Sequence, residues 1–153
     1  MNNRVILSEE DIDLRELREN MIYDDTDSLV TFTEQAQNER KGAEVISVEI
    51  EAYKSITRNS MQKVKDLIQK RFDINNIVII QRVGKFEPGE NIREFLISAP
   101  EKGEALEASA MALDIFEPHV PLKKKVATLD GRKYWVKRAD EVMNMYGQLA
   151  SEI

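Results

Sequence analysis

The apolar residues between Val45 and Phe72 change period once, and that change restricts the fold more than any other feature of the chain. Over residues 45–53 they alternate. Ile46, Val48, Ile50 and Ala52 fall on one side and Ser47, Glu49 and Glu51 on the other, the pattern of a half-buried strand. Over residues 57–72 the spacing becomes helical: Met61, Val64, Leu67, Ile68 and Phe72 share one stripe, with Lys and Gln opposite. A chain that runs a strand into an amphipathic helix belongs to a mixed class.

The flanking segments extend this reading. Residues 4–7 can pair as a short strand, and Ser8 is expected to cap a helix carrying Leu14, Leu17 and Met21. SLVTFT, residues 28–33, is rich in β-formers and reads as a strand. Residues 34–44 are polar, with Arg40, Lys41 and Gly42 at the tip, and are expected to form a mobile loop. Residues 77–83 and 92–98 read as a hairpin turning at Pro88-Gly89. Pro100 and Glu101 suit a helix start, and Pro118 is expected to end that helix near Glu117. Its Ala105, Ala108, Ser109, Ala110 and Ala112 permit close approach to a sheet. Residues 122–128 and 133–137 read as a strand pair about Asp130-Gly131. Residues 139–153 carry Val142, Met145, Tyr146, Leu149 and Ile153 on one stripe, an amphipathic helix that reads as core or as a dimer contact. Strands and helices mix without a regular βαβ rhythm, so the class is α+β. One domain is expected over residues 1–137, with the C-terminal helix (138–153) appended to it.

Composition excludes several chemistries. The 153 residues hold no cysteine and one histidine, which rules out disulfides, thiolate metal sites, cysteine nucleophiles and a His-rich metal centre. No nucleotide-binding glycine loop and no GxSxG motif occurs, so no metal and no cofactor is expected. The net charge of −6 argues against nucleic acid and against anionic membranes as partners. No apolar run approaches a membrane span, and MNNRVILSEEDIDL has no long apolar centre. A cytoplasmic location is therefore expected.

One stretch runs against the acidic trend. FEPHVPLKKKV, residues 116–126, gathers Lys123, Lys124 and Lys125 beside the single histidine, His119. By themselves these residues read as a solvated strand edge; a local anion site is the sharper alternative. His119 between two prolines reads as structural, and Glu49 with Glu51 as a solvated or salt-bridged sheet face.

From Gln81 onward the order of segments is informative. QRVGKFEPGE, ISAPEKGEALEA, VPLKKK and DGRKYWV, preceded by LVTFTEQAQN and VEIEAY, resemble in that sequence the large, catalytic subunit of molybdopterin synthase. The resemblance covers residues 4–137. It implies an α/β-hammerhead-like fold, a homodimer, and a small ubiquitin-like sulfur-carrier subunit whose C-terminal Gly-Gly thiocarboxylate enters a pocket of the large subunit. It implies as substrate cyclic pyranopterin monophosphate, which receives sulfur in molybdenum cofactor biosynthesis. Thiocarboxylate, phosphate and developing oxyanion are all anionic, so such a pocket needs cations.

Position by position, the resemblance makes Lys124 the retained catalytic lysine. Asn38 is also retained, and Lys102 stands where the family has arginine. Lys102, Lys123, Asn38 and Arg40 are the implied substrate contacts. Four positions depart from the family: Gln37 replaces an arginine, Glu39 and Glu101 replace histidines, and Glu117 replaces the second pocket lysine. These departures leave open a second reading, a non-catalytic dimeric relative that binds the sulfur carrier or another ligand as scaffold or regulator.

Overall fold

Arg4, Val5 and Ile6 pair with Val78, Ile79 and Ile80 through parallel strands, and from that pairing a sheet grows that is buried on both faces. The computed structural model describes residues 3–137. The first sheet is four-stranded, in the order β1 (Arg4–Ser8), β5 (Asn76–Arg82), β7 (Asn91–Ala99), β2 (Ser28–Gln35). Its central strands NIVIIQR and NIREFLISA are buried almost throughout, which demands a layer on each side. On one face Ile77, Ile79, Phe95 and Ile97 meet Met61, Val64 and Ile68 of α2 (Ser55–Arg71) and Ala108, Met111, Ala112 and Ile115 of α3 (Lys102–His119). On the other, Val78, Ile80 and Leu96 meet Leu17 of α1 (Leu14–Glu19) and Met21 beyond it. Full burial of side chains such as Met61, Ile68 and Phe116 contributes roughly 1.5–3 kcal/mol each.

The second sheet is built on β4 (Ala43–Ala52). One side of β4 pairs with β8 (Leu122–Thr128), which pairs in turn with β9 (Lys133–Trp135). Its other side takes β3 (Glu39–Arg40) and β6 (Gly84–Phe86). Val45, Val48, Ile50, Phe86, Ile92 and Val126 form its core. The whole is an α+β single domain.

Local differences from the sequence reading have physical reasons. Asp13, not Ser8, caps α1, its carboxylate accepting from the Arg15 N–H; Ser8 ends β1 and bonds Glu10 instead. Residues 34–44 are not a mobile loop. β2 continues to Gln35, and Glu39–Arg40 folds back on β4 through a turn in which Lys41 and Gly42 take φ of 51° and 77°. Arg132 donates to the Lys41 carbonyl and holds that turn. The alternation along β4 breaks at a bulge between Val45 and Ser47, so Val45 is buried and Ile46 is 50% exposed. Strands β5 and β7 do pair antiparallel, but β6 intervenes and crosses to β4, starting at Gly84 with φ of 126°. Helix α3 passes through Pro118 to His119. Only the last turn remains there, and the Val120 N–H still closes on the Phe116 carbonyl at 2.8 Å. The expected C-terminal helix of residues 139–153 lies outside the described residues.

Candidate active site

Three consecutive lysines on a strand cannot share a face, because successive side chains point to opposite sides. On β8, which lies between β4 and β9 and is no sheet edge, Lys123 stands opposite Glu51 and Lys125 opposite Glu49 on the outer surface. Lys123 also lies over the rings of Tyr53 and Trp135, and Lys125 over Trp135. Lys124 is opposite Ile50 and turns the other way, half-buried, into a cleft where the two sheets meet the end of α3. Thr57 anchors the chain that leads there. Its hydroxyl accepts from the Tyr53 N–H at the start of α2 and donates to the Pro121 carbonyl just before β8.

Two adjoining depressions share Arg93, Glu117 and Lys124. One has apolar walls from Ile50, Ile92, Val120, Leu122 and Val136. The other is lined by Phe32, Leu113, Glu34, Gln35 and Gln37. Gln37 reaches the cleft because Ala36 is clamped to the Pro88-Gly89 turn, donating to Glu90 O and accepting from Gly89 N, both at 2.9 Å.

Arg93 was not among the residues singled out in the sequence, and it organises the site. It is 6% exposed, on β7, with its ladder neighbours Gln81 of β5 and Glu34 of β2 on either side. Its Nε donates to Gln81 Oε1 at 2.7 Å and its Nη1 to Glu34 Oε1 at 3.1 Å. The same Nη1 donates to Glu117 Oε1 at 2.5 Å. The guanidinium lies 4.3 Å from the centre of the Phe116 ring, which fixes its plane. Glu117, which by the sequence looked like a reversed charge, is therefore half of an ion pair. The available signal was a charged Arg-Glu pair inside an otherwise apolar strand, NIREFLISA. Its second member, Glu94, faces the α1 side, where burial pushes its carboxyl above the usual range against a hydrogen bond from Thr33.

The other expected contacts fall elsewhere. Arg40 lies beside Gln37, its Nη1 3.4 Å from Gln37 Oε1, while Asn38 and Glu39 are exposed in the adjoining turn. The Asn38 carbonyl accepts from the Val45 N–H. Lys123 is on the outer face of the sheet. Glu101 and Lys102 are exposed at the start of α3, with Lys102 about 22 Å from Glu117 along the helix axis. A single chain thus brings Lys124, Gln37, Glu117, Glu34 and Arg93 together and leaves Lys102 and Lys123 outside. Among the described residues no cluster of His, Asp and Glu has the makings of a metal site.

Known proteins resemble this chain in sequence and in fold. The sequence model of a family described as MoaE protein matches residues 7–116. The chain is 27% identical over 117 residues to the molybdopterin synthase catalytic subunit of Yersinia pestis, covering 76% of this chain and 77% of that one. It is 29% identical over 128 residues to the catalytic subunit of Pyrococcus abyssi, covering 84% and 86%. Among solved structures, molybdopterin synthase from Staphylococcus aureus superposes with a TM-score of 0.78 at 23% identity, over 90% of this chain and 98% of that one. A chain from a complex of subunits 1 and 2 of molybdopterin-converting factor of Helicobacter pylori superposes at 0.70 with 14% identity, over 97% and 99%. With the family model spanning most of the chain, this protein belongs to the MoaE family, that of the molybdopterin synthase large subunits.

Proposed function

We propose that this chain is the sulfur-transferring large subunit of a molybdopterin synthase. In this role it would accept the C-terminal thiocarboxylate of a small ubiquitin-like carrier and pass its sulfur to cyclic pyranopterin monophosphate. Family membership supports a role in molybdenum cofactor biosynthesis. The observation that carries the reading is the placement of Lys124. It is the lysine that the family resemblance retains, and it is the one of three whose side chain turns into the cleft. An ammonium about 4 Å from an anion is worth roughly 4 kcal/mol at an effective dielectric of about 20, before desolvation. The apolar walls supplied by Ile50, Ile92 and Leu122 lower the local dielectric and strengthen that attraction.

The carrier is the proposed partner, as the Helicobacter pylori relative was solved as a complex of two subunits. A homodimer is proposed with it. Lys102 lies at the far end of α3 from its own cleft, so a substrate contact from Lys102 would reach a cleft from a second copy. The cytoplasm is the proposed location; among the described residues no helix is long and apolar enough to cross a membrane.

The test is reconstitution with a thiocarboxylated carrier and cyclic pyranopterin monophosphate, followed by assay of molybdopterin. Product is expected from the unaltered chain. Lys124→Ala should lose about 100-fold in rate, the loss of about 2.7 kcal/mol of charge stabilisation. Lys123→Ala and Lys125→Ala, on the outer face, should stay within about threefold. An inert chain that still binds its carrier, or equal losses at all three lysines, would sink the proposal.

A further inference from the structure

The family position that should carry a second pocket lysine holds Glu117, and the cation beside it comes from a different element. We propose that Arg93 is the second anion-binding cation of the cleft, with Glu117 and Glu34 as exchangeable counter-ions that an incoming oxyanion displaces. The proposal rests on the sulfur-transfer reading only for which anions arrive, a carboxylate-type carrier tail or a substrate phosphate.

Position comes first. Arg93 borders both depressions together with Lys124, and its Nη1 is shared between two carboxylates. Positive charge at this point of the cleft therefore enters from β7, and the negative charge of the pair sits at the end of α3. A guanidinium stays charged at any working pH and presents donors in a planar fork suited to carboxylate or phosphate. Nε is committed to Gln81 and Nη1 to the two glutamates, while Nη2 makes no hydrogen bond to the described residues.

Charge balance then argues for exchange. Among the described residues that line the cleft, Arg93 and Lys124 against Glu34 and Glu117 sum to zero, so an arriving anion is attracted more strongly once a carboxylate moves away. The exposures are unequal: the Arg93 side chain is 6% exposed, Glu117 19% and Glu34 31%. Either carboxylate can swing toward water, whereas Arg93 is held by Gln81 and by the Phe116 ring. Glu34 is the more exposed and the more loosely held, and Glu117 is the one placed against its helix. Glu117 sits in the last turn of α3, where the helix dipole disfavours negative charge, so its place depends on Arg93.

The experiment titrates the full chain with inorganic phosphate and, separately, with a short peptide ending in Gly-Gly with a free carboxylate, by calorimetry. Glu117→Gln should tighten at least one probe about tenfold, the equivalent of about 1.4 kcal/mol. Tightening of phosphate alone assigns Arg93 to the substrate, and tightening of the peptide alone assigns it to the carrier tail. Arg93→Met combined with Glu117→Gln should return the affinity to the unaltered value or below. Unchanged or weaker binding of both probes by Glu117→Gln overturns the proposal. Retention of the tightened affinity by the double variant also overturns it, since Lys124 would then be acting alone. If the methionine variant does not fold, Arg93→Gln with Glu117→Gln replaces it, removing the charge while keeping a hydrogen-bond donor beside Gln81. It is expected to lose the gain, and full retention counts against the proposal. No carrier and no pterin are present in these titrations. A chain inert in sulfur transfer that shows the gain keeps the anion site and loses the reaction, and the converse loses only the role of Arg93.

Discussion

Removing the Arg93 side chain tests the physical reasoning about the cleft without any ligand. In Arg93→Met, Glu117 and Glu34 lose their cation and Gln81 Oε1 loses its donor inside a fully buried residue. Breaking a fully buried ion pair from one side costs about 3–5 kcal/mol. The 19% and 31% exposure of the two carboxylate side chains lets water recover part of that. The orphaned Gln81 oxygen adds about 1–3 kcal/mol, and the lost stacking on Phe116 about 1. Methionine returns some packing, and the net expectation is about 3 kcal/mol. Glu117→Gln keeps a hydrogen-bond acceptor and should cost about 1 kcal/mol. In the double variant no charged Glu117 is left behind, so the combined loss should fall short of the sum by about 1–2 kcal/mol. Guanidinium chloride unfolding followed by far-UV circular dichroism gives these differences directly. By melting temperature, each kcal/mol corresponds to about 2–4 °C for a chain of this size. Strict additivity, or an Arg93→Met variant within about 0.5 kcal/mol of the unaltered protein, would refute the idea that these groups form one coupled network. Glu117→Gln is thus expected to weaken the fold while tightening anion binding, two effects of opposite sign that a merely structural glutamate would not produce.

Two further predictions concern the scaffold. Glu94 is buried, and desolvation raises its carboxyl above the ordinary value, with the Thr33 hydrogen bond and Arg18 and Arg82 opposing and Asp11 adding to the rise. A raised folded value favours the protonated fold, so this contribution is complete below the unfolded pKa and is lost as pH rises through the folded one. Glu94→Gln should therefore melt higher than the unaltered chain at pH 7, with the advantage gone near pH 4; an equal difference at both pH values would contradict the assignment. At the β4 bulge, Val45→Ala should cost about 1–3 kcal/mol in chemical denaturation and Ile46→Ala less than about 0.5. The reverse order would mean that the bulge is misplaced.

The element types were legible because they depend on local period and composition. The alternation near Val48 and Ile50, the stripe through Met61, Val64 and Ile68, and the β-rich runs around Ile79 and Phe95 all lie in elements of the expected kind. The errors came where a neighbour in space overrides a local preference. Asp13 caps α1 because β1 keeps Ser8 for its ladder with β5. Residues 39–42 are ordered because β4 and Arg132 hold them from outside the segment. Ile46 is exposed because a bulge, invisible in a count of alternating residues, shifts the face by one.

The candidate site divides the same way. Lys124 was singled out by resemblance, and its separation from Lys123 and Lys125 follows from strand geometry once β8 is placed between β4 and β9. Arg93 was not legible, because its meaning lies in the pairing of β7 with β5 and β2 and in the docking of α3 across them. Those contacts bring residues 34, 81, 93 and 117 to one point from four different elements. The sequence by itself determined the α+β class and the family, since each rests on period or on motifs in order, and by resemblance it singled out Lys124 as a candidate. Only the tertiary structure decided which way that lysine faces and that Glu117 is matched by a buried arginine. Charge compensation between strands far apart in the chain is a property of distance in space, and a linear order of residues does not contain it.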